Sequence, residues 1–224
     1  RAQPVRIVEI GAGTGGTTLP VLRELDATGG VEYLFTDISP AFLRRARNRF
    51  GGAYPFVQYR QLDIERDAAA QGFTPGTHAV AIAANVLHDT RDIVRPLRQT
   101  RRLLAPGGVL LLTEYTEVKP WLFFSGALLH GMWLFEDDAR RLPQFCLLGA
   151  AQWRHALDEA GFTDIEVFAL PTQNEAHCGQ CVIVCRASEE ALPAEIAAAD
   201  APEAHVAAAG AAAPGDAAPV SSWL

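Results

Sequence analysis

Short apolar runs alternate along the chain with stretches in which apolar residues recur every three or four positions. The runs, closed by an acid or by glycine, read as strands; the three-to-four spacing reads as helices. Strands are predicted at residues 5–10, 31–36, 56–62, 78–84, 109–113, 165–170 and 181–185, and helices at 17–25, 40–50, 92–104 and 152–160. Residues 78–84 are almost wholly apolar, as a strand buried on both faces should be. Ser39-Pro40 suits N-cap and first helical position, and Pro106-Gly107-Gly108 reads as a helix stop. Helices between strands imply parallel pairing with right-handed crossovers. The last two strands have no helix between them, so one runs antiparallel. The expected fold is α/β: a seven-stranded, mostly parallel sheet with one antiparallel strand and helices on both faces.

Two segments break the rhythm. Residues 115–149 are too long for a simple connection and carry Trp121, Phe123, Phe124, Trp133 and Phe135. Insertions of this kind usually cap a site. Residues 187–224 are rich in alanine and acid, with four prolines and few large apolar groups. That composition reads as a linker rather than a packed unit. The expected organisation is a domain over 1–186, with 115–149 as its cap, followed by a linker over 187–224.

Composition narrows the classes. The formal net charge is −7 and the acidity lies mostly in the tail, which argues against a nucleic-acid surface. The longest apolar stretch, from Trp121 to Phe135, is too short and interrupted to span a bilayer. No signal peptide is recognised before the first strand, so a cytoplasmic chain with reduced thiols is expected. The C-x-x-C at Cys178 and Cys181 lacks a second ligand pair at usable spacing, so no metal is expected.

Ligands of open α/β sheets bind beyond the carboxyl ends of the strands. Strand one ends in Glu9-Ile10-Gly11-Ala12-Gly13-Thr14-Gly15-Gly16. Glycines allow close backbone approach, and the following helix offers free N–H groups. Gly11, Gly13 and Gly16 also satisfy the dinucleotide fingerprint, so they do not by themselves choose between an NAD and an S-adenosylmethionine site. Glu9, placed to accept from a cationic amino group, favours the latter. Strand two gives Asp37, suited to a pair of ribose hydroxyls. Strand three gives Asp63-Ile64, a carboxylate for an adenine amino group with an apolar neighbour for the ring. Strand four leads into Asn85 and His88, and strand five ends at Glu114-Tyr115. Neighbouring parallel strands lie about 5 Å apart, so His88 and Glu114 could touch. A carboxylate on one imidazole nitrogen raises the basicity of the other, an arrangement suited to proton abstraction. Asp89 competes for the same role.

Val8-Glu9-Ile10-Gly11-Ala12-Gly13-Thr14-Gly15-Gly16-Thr17, Phe35-Thr36-Asp37-Ile38-Ser39, Asp63-Ile64-Glu65, Ala83-Ala84-Asn85-Val86-Leu87-His88 and Leu104-Ala105-Pro106-Gly107-Gly108 occur in that order. With these blocks the chain resembles the Rossmann-like class I methyltransferases, and more narrowly the C-methyltransferase domains of modular polyketide synthases. The resemblance implies S-adenosylmethionine as methyl donor. It implies an acyl carrier protein presenting a phosphopantetheine-bound β-ketoacyl thioester, with neighbouring synthase domains, and methylation of its α-carbon in secondary metabolism. It puts the catalytic pair on His88 and Glu114. Donor-binding positions fall on Glu9, Gly11, Gly13, Gly15, Asp37, Asp63, Ile64 and Asn85. Tyr115, Trp121, Phe124 and Trp133 are the expected acyl-pocket residues. Two features depart from the pattern. Asp89 stands where a small residue is usual, and the N-terminal cap region of the family is expected to be missing. Other readings are O- or N-methylation of a small molecule, a non-catalytic scaffold of the same fold, and an NAD-dependent oxidoreductase using Tyr115 and Lys119.

Overall fold

The computed structural model describes residues 3–26, 29–126, 128, 130–169 and 179–190. Seven strands form one sheet in the order β3-β2-β1-β4-β5-β7-β6. These are β1 (Val5–Ile10), β2 (Val31–Asp37), β3 (Val57–Gln61), β4 (His78–Ala84), β5 (Leu104–Tyr115), β6 (Phe162–Ala169) and β7 (Gln180–Ala187). β7 is antiparallel to both its neighbours and every other pairing is parallel, as the missing crossover helix requires. Five α-helices accompany the sheet: α1 (Thr18–Asp26), α2 (Pro40–Phe50), α3 (Val94–Leu103), α4 (Pro120–Ser125) and α5 (Ala150–Glu159).

The pleat sorts β1 onto two cores. Ile7 packs with Tyr33, Phe35 and Ile82 against Leu22 of α1 and Ala46 and Phe50 of α2. Its neighbour Val8 faces the other side, with Ala81, Leu110 and Leu112 against Leu97 of α3 and Trp153 and Leu157 of α5. Each such side chain contributes roughly 1.5–3 kcal/mol by leaving water. The sheet order reverses between β1 and β4, and a crevice opens at such a switch point beyond the strand ends.

The chain departs from its sequence pattern in four places. β5 follows α3 directly, and Pro106-Gly107-Gly108 lies inside it instead of ending a helix. His78 pairs with Leu104 and Val80 with Val109, so the extra β5 residues are taken up in a bulge, where Gly107 has φ +71°. Ser39 stands at the N-cap of α2, but its side chain caps nothing; its own N–H donates to Asp37 Oδ1 at 2.8 Å instead. α3 starts two residues later than its pattern, although Asp92 Oδ1 still accepts the Arg95 N–H at 2.9 Å. Finally, the folded unit passes the boundary expected at residue 186. Ala187 is buried as the last residue of β7, the Ser188 N–H donates to Gly161 O, and Arg101 reaches the carbonyls of Ser188 and Glu190. The rest of the expected linker, residues 191–224, lies outside the described residues, as do His177 and Cys178.

Candidate active site

The turn after β1 is built from backbone. Gly11 has φ +58°, and a Cβ there would lie 2.2 Å from Val86 Cγ2, so the loop after β4 sits directly on the glycine. Gly13 has φ +55°, and a Cβ there would meet nothing closer than Gly11 O at 3.9 Å. The space beside Gly13 is therefore open to a ligand. Gly15 completes the turn with φ +77° against Phe50. Asp37 ties this turn to α2. Its Oδ2 accepts the Gly13 N–H at 2.8 Å, while Oδ1 holds Ser39. A carboxylate so fixed keeps free lone pairs for two further donors.

Asp37 lines a cleft of about 220 Å³ with Gly11, Asp63, Ile64, Val86 and Asp89. Asp63 Oδ1 accepts the Glu65 N–H at 3.1 Å. Gln71, which sequence reasoning missed, clamps the Asp63 backbone. Its Oε1 accepts the Asp63 N–H at 2.9 Å, and its Nε2 donates to the Asp63 carbonyl at 2.8 Å. Glu9 was expected to reach outward and instead is internal. It is 1% exposed, and Oε2 accepts from Thr18 Oγ1 at 2.6 Å and Tyr33 Oη at 2.7 Å. Burial raises its pKa against the opposing pull of those two bonds. The alternation explains this: Glu9 shares the face of Ile7, and that face belongs to α1 and α2. Asn85 holds φ +51°, with its side-chain oxygen accepting from Gln180 Nε2 at 3.1 Å.

His88 lies on a single 3-10 turn, Leu87–Asp89, just beyond β4. Its Nδ1 is 2.6 Å from Glu114 Oε2 on β5. The other oxygen of Glu114 accepts the Leu87 N–H at 3.2 Å, so one fully buried carboxylate fixes both the turn and the ring. A carboxylate oxygen accepting at that distance puts the proton on Nδ1 and leaves Nε2 as the other ring nitrogen. Burial pushes the imidazole pKa down. The charge and hydrogen bond of Glu114, helped by Asp89, outweigh burial and leave it raised.

Arg141 was not anticipated. It comes from the 115–149 segment, is 4% exposed, and reaches under the His88 turn. Nη1 donates to His88 O at 2.8 Å and to Cys146 O at 2.7 Å, Nη2 donates to Thr90 O at 2.9 Å, and Nε pairs with Asp137. One guanidinium thus staples the His88 turn to the 115–149 segment. Its sequence offers only the acids Asp137 and Asp138 one turn earlier, a pattern common on solvated faces; the carbonyls around it leave no mark there.

Residues 8–110 match a family model described as a methyltransferase domain. The polyketide synthase ThaQ of Burkholderia thailandensis is 41% identical over 184 residues, covering 81% of this chain and 9% of ThaQ. The carbon methyltransferase CurJ superposes with a TM-score of 0.76 at 43% identity, over 83% of this chain and 49% of that one. The trans-methyltransferase CalH, solved in complex with S-adenosylhomocysteine, gives 0.74 at 38%, over 83% and 52%. The chain holds a methyltransferase domain. Its relatives are polyketide synthases and its structural neighbours include their carbon methyltransferase domains. The chain spans under a tenth of ThaQ and about half of each solved neighbour.

In the methyltransferase domain the cap has a small core of its own: Leu122, Met132, Phe145, Cys146 and Leu147. Its 130–133 turn packs against the His88 turn. Tyr115 and Trp121 meet edge to face at 5.2 Å, and Trp133 meets Phe145 at 6.0 Å. Phe124, expected as a pocket wall, is 84% exposed and has no place in this core. The domain also brings His88, Asp89 and Cys146 together, with ligand atoms within 4.8 Å of one another. Burial, with the Asp89 charge adding to it, pushes the Cys146 thiol up to about 12, so without a metal it stays protonated. Among the described residues no helix is long and apolar enough to cross a membrane.

Proposed function

We propose that this domain transfers a methyl group from S-adenosylmethionine to the α-carbon of a β-ketoacyl thioester borne by the phosphopantetheine of an acyl carrier protein, within a larger polyketide synthase. The observation that carries the reading is the buried His88–Glu114 pair, 2.6 Å apart, beside a cleft whose walls are a bare glycine turn and two strand-end carboxylates. The donor set fits the cofactor. Asp37 would accept the ribose hydroxyls, Asp63 and Ile64 would take the adenine, and the open backbone at Gly13 would lie under the methionine part. When bound, S-adenosylmethionine supplies an electrophilic methyl on a sulfonium. Glu9 supports this site from behind, by fixing Thr18 at the start of α1.

His88 removes the acidic proton between ketone and thioester: the C–H bond breaks, the proton goes to Nε2, and the electron pair stays as an enolate. Glu114 orients the ring and balances the imidazolium that forms. Raising the imidazole pKa narrows the gap to the carbon acid, and donors near the enolate oxygen must cover the rest. The cap, with Tyr115, Trp121 and Trp133, supplies an apolar wall for the acyl chain. The decisive test is a carrier-bound β-ketoacyl substrate with labelled donor and mass detection. Methyl found on oxygen, or no product from an enzyme that binds donor, would reject the reading.

Two expected results follow here. Asp37→Ala should weaken binding of S-adenosylhomocysteine by tenfold or more, since each hydrogen bond to a charged group is worth about 1.5–3 kcal/mol. Calorimetry checks this, with Asp37→Asn as the variant that keeps the turn filled; undiminished affinity in both would remove Asp37 from the ribose. Second, the base acts as neutral imidazole and its pKa is raised above 6.5, so the rate should climb with pH to a midpoint above that value. A pH–rate profile already flat at pH 6 would contradict it.

A further inference from the structure

Nδ1 of His88 belongs to Glu114, but Nε2 is not bare. Asp89 Oδ1 stands 3.3 Å from it, so the ring lies between two carboxylates. The two contacts differ in kind. Glu114 is fully buried and bonded on both oxygens to the His88 turn. Asp89 belongs to the wall of the cleft, and its side chain is 30% exposed. Its buried Oδ1 makes no aligned hydrogen bond among the described residues. Its hold on Nε2 is charge against charge, which an entering ligand can displace.

We propose that Asp89 is a positioning residue that clasps Nε2 of His88 from the wall of the cleft and yields it to the acceptor when the acceptor enters. This rests on the reading of His88 as the base. Such a clasp favours the cationic ring over the basic one until the acceptor arrives.

The charges around the ring are consistent with it. Glu114 faces it from β5 and Asp89 from its own turn, both favouring the imidazolium. From the cap come Arg141, which opposes the imidazolium, and Asp137, which pairs with Arg141 and offsets its charge. Cys146 also faces this cluster and stays neutral. The Asp89 pKa is itself raised, by burial first and by the Glu114 charge, against the pull of His88 and Arg141.

The test is the titration of His88 followed by nitrogen-15 NMR of the whole chain in buffer with a chelator, the signal assigned by its loss in His88→Asn. Removing a like-placed charge shifts a neighbour by about one unit or more. Asp89→Asn should therefore lower the His88 pKa by about one unit or more, and Asp89→Ala should do the same. The acid limb of the pH–rate profile should move down in step, so both variants outperform the parent at low pH. A His88 titration unchanged in both variants would overturn the proposal, as would pH–rate profiles that superpose on the parent. A lowered His88 pKa in both variants, with a parent that transfers no methyl at any pH, would leave the clasp standing and reject the general-base reading instead.

Discussion

Replacing His88 with alanine should abolish methyl transfer while leaving the donor bound. Loss of a general base costs about 10²–10⁴-fold. His88 does not line the cleft that holds Asp37 and Asp63, so donor affinity should stay close to the parent's. Alanine also strands the buried Glu114 carboxylate, and a folding defect could then imitate a catalytic one. His88→Asn separates the two. Its amide N–H can replace Nδ1 toward Glu114, yet it supplies no base. Both variants should lose deuterium exchange at the substrate α-carbon in the absence of donor, and His88→Asn should keep the parent's melting temperature more nearly than His88→Ala. Parent-rate transfer by a folded His88→Asn enzyme would end the assignment, and Asp89 would be tested in its place.

Arg141→Met should destabilise the domain by about 3–5 kcal/mol, the range for removing one partner of a buried ion pair. Methionine fills much of the volume, but Asp137 is left with a 7% exposed carboxylate and no cation, and three carbonyls lose their donor. Arg141→Lys should recover little, because a point charge cannot reach three carbonyls and a carboxylate at once. Urea unfolding measures the loss. Transfer should fall further than the unfolded fraction explains, since the His88 carbonyl is one of those released. Parent-like midpoints for both variants would show that the staple holds nothing.

The sheet could be read from the chain because its central strands, β1, β2 and β4, carry apolar runs buried on both faces and its helices are amphipathic; both patterns are local. The meeting of His88 and Glu114 was equally accessible, since adjacent parallel strands fix where their ends lie. Arg141 was not, because two of its partners, the carbonyls of His88 and Thr90, lie some fifty residues away, and carbonyls leave no trace in residue types. The bulge in β5 escaped for a related reason: Pro106-Gly107-Gly108 carries every mark of a helix stop, and only the pairing of His78 with Leu104 draws it into the sheet. Glu9 shows the converse. Its place in the glycine motif suggested contact with a ligand, whereas the strand's own alternation turns it inward onto Thr18 and Tyr33.

The His88–Glu114 pair also sets how the domain should be handled in solution. A histidine whose folded pKa is raised lends its full stabilisation below the unfolded value, about 6.5, and loses it as the pH climbs through the folded value. Turnover by the proposed route, with His88 as base, needs the opposite charge state. The pH that best preserves the fold and the pH that best drives the reaction are therefore pulled apart by the same ring, and protein kept on the acid side should be brought up in pH only at the moment of assay.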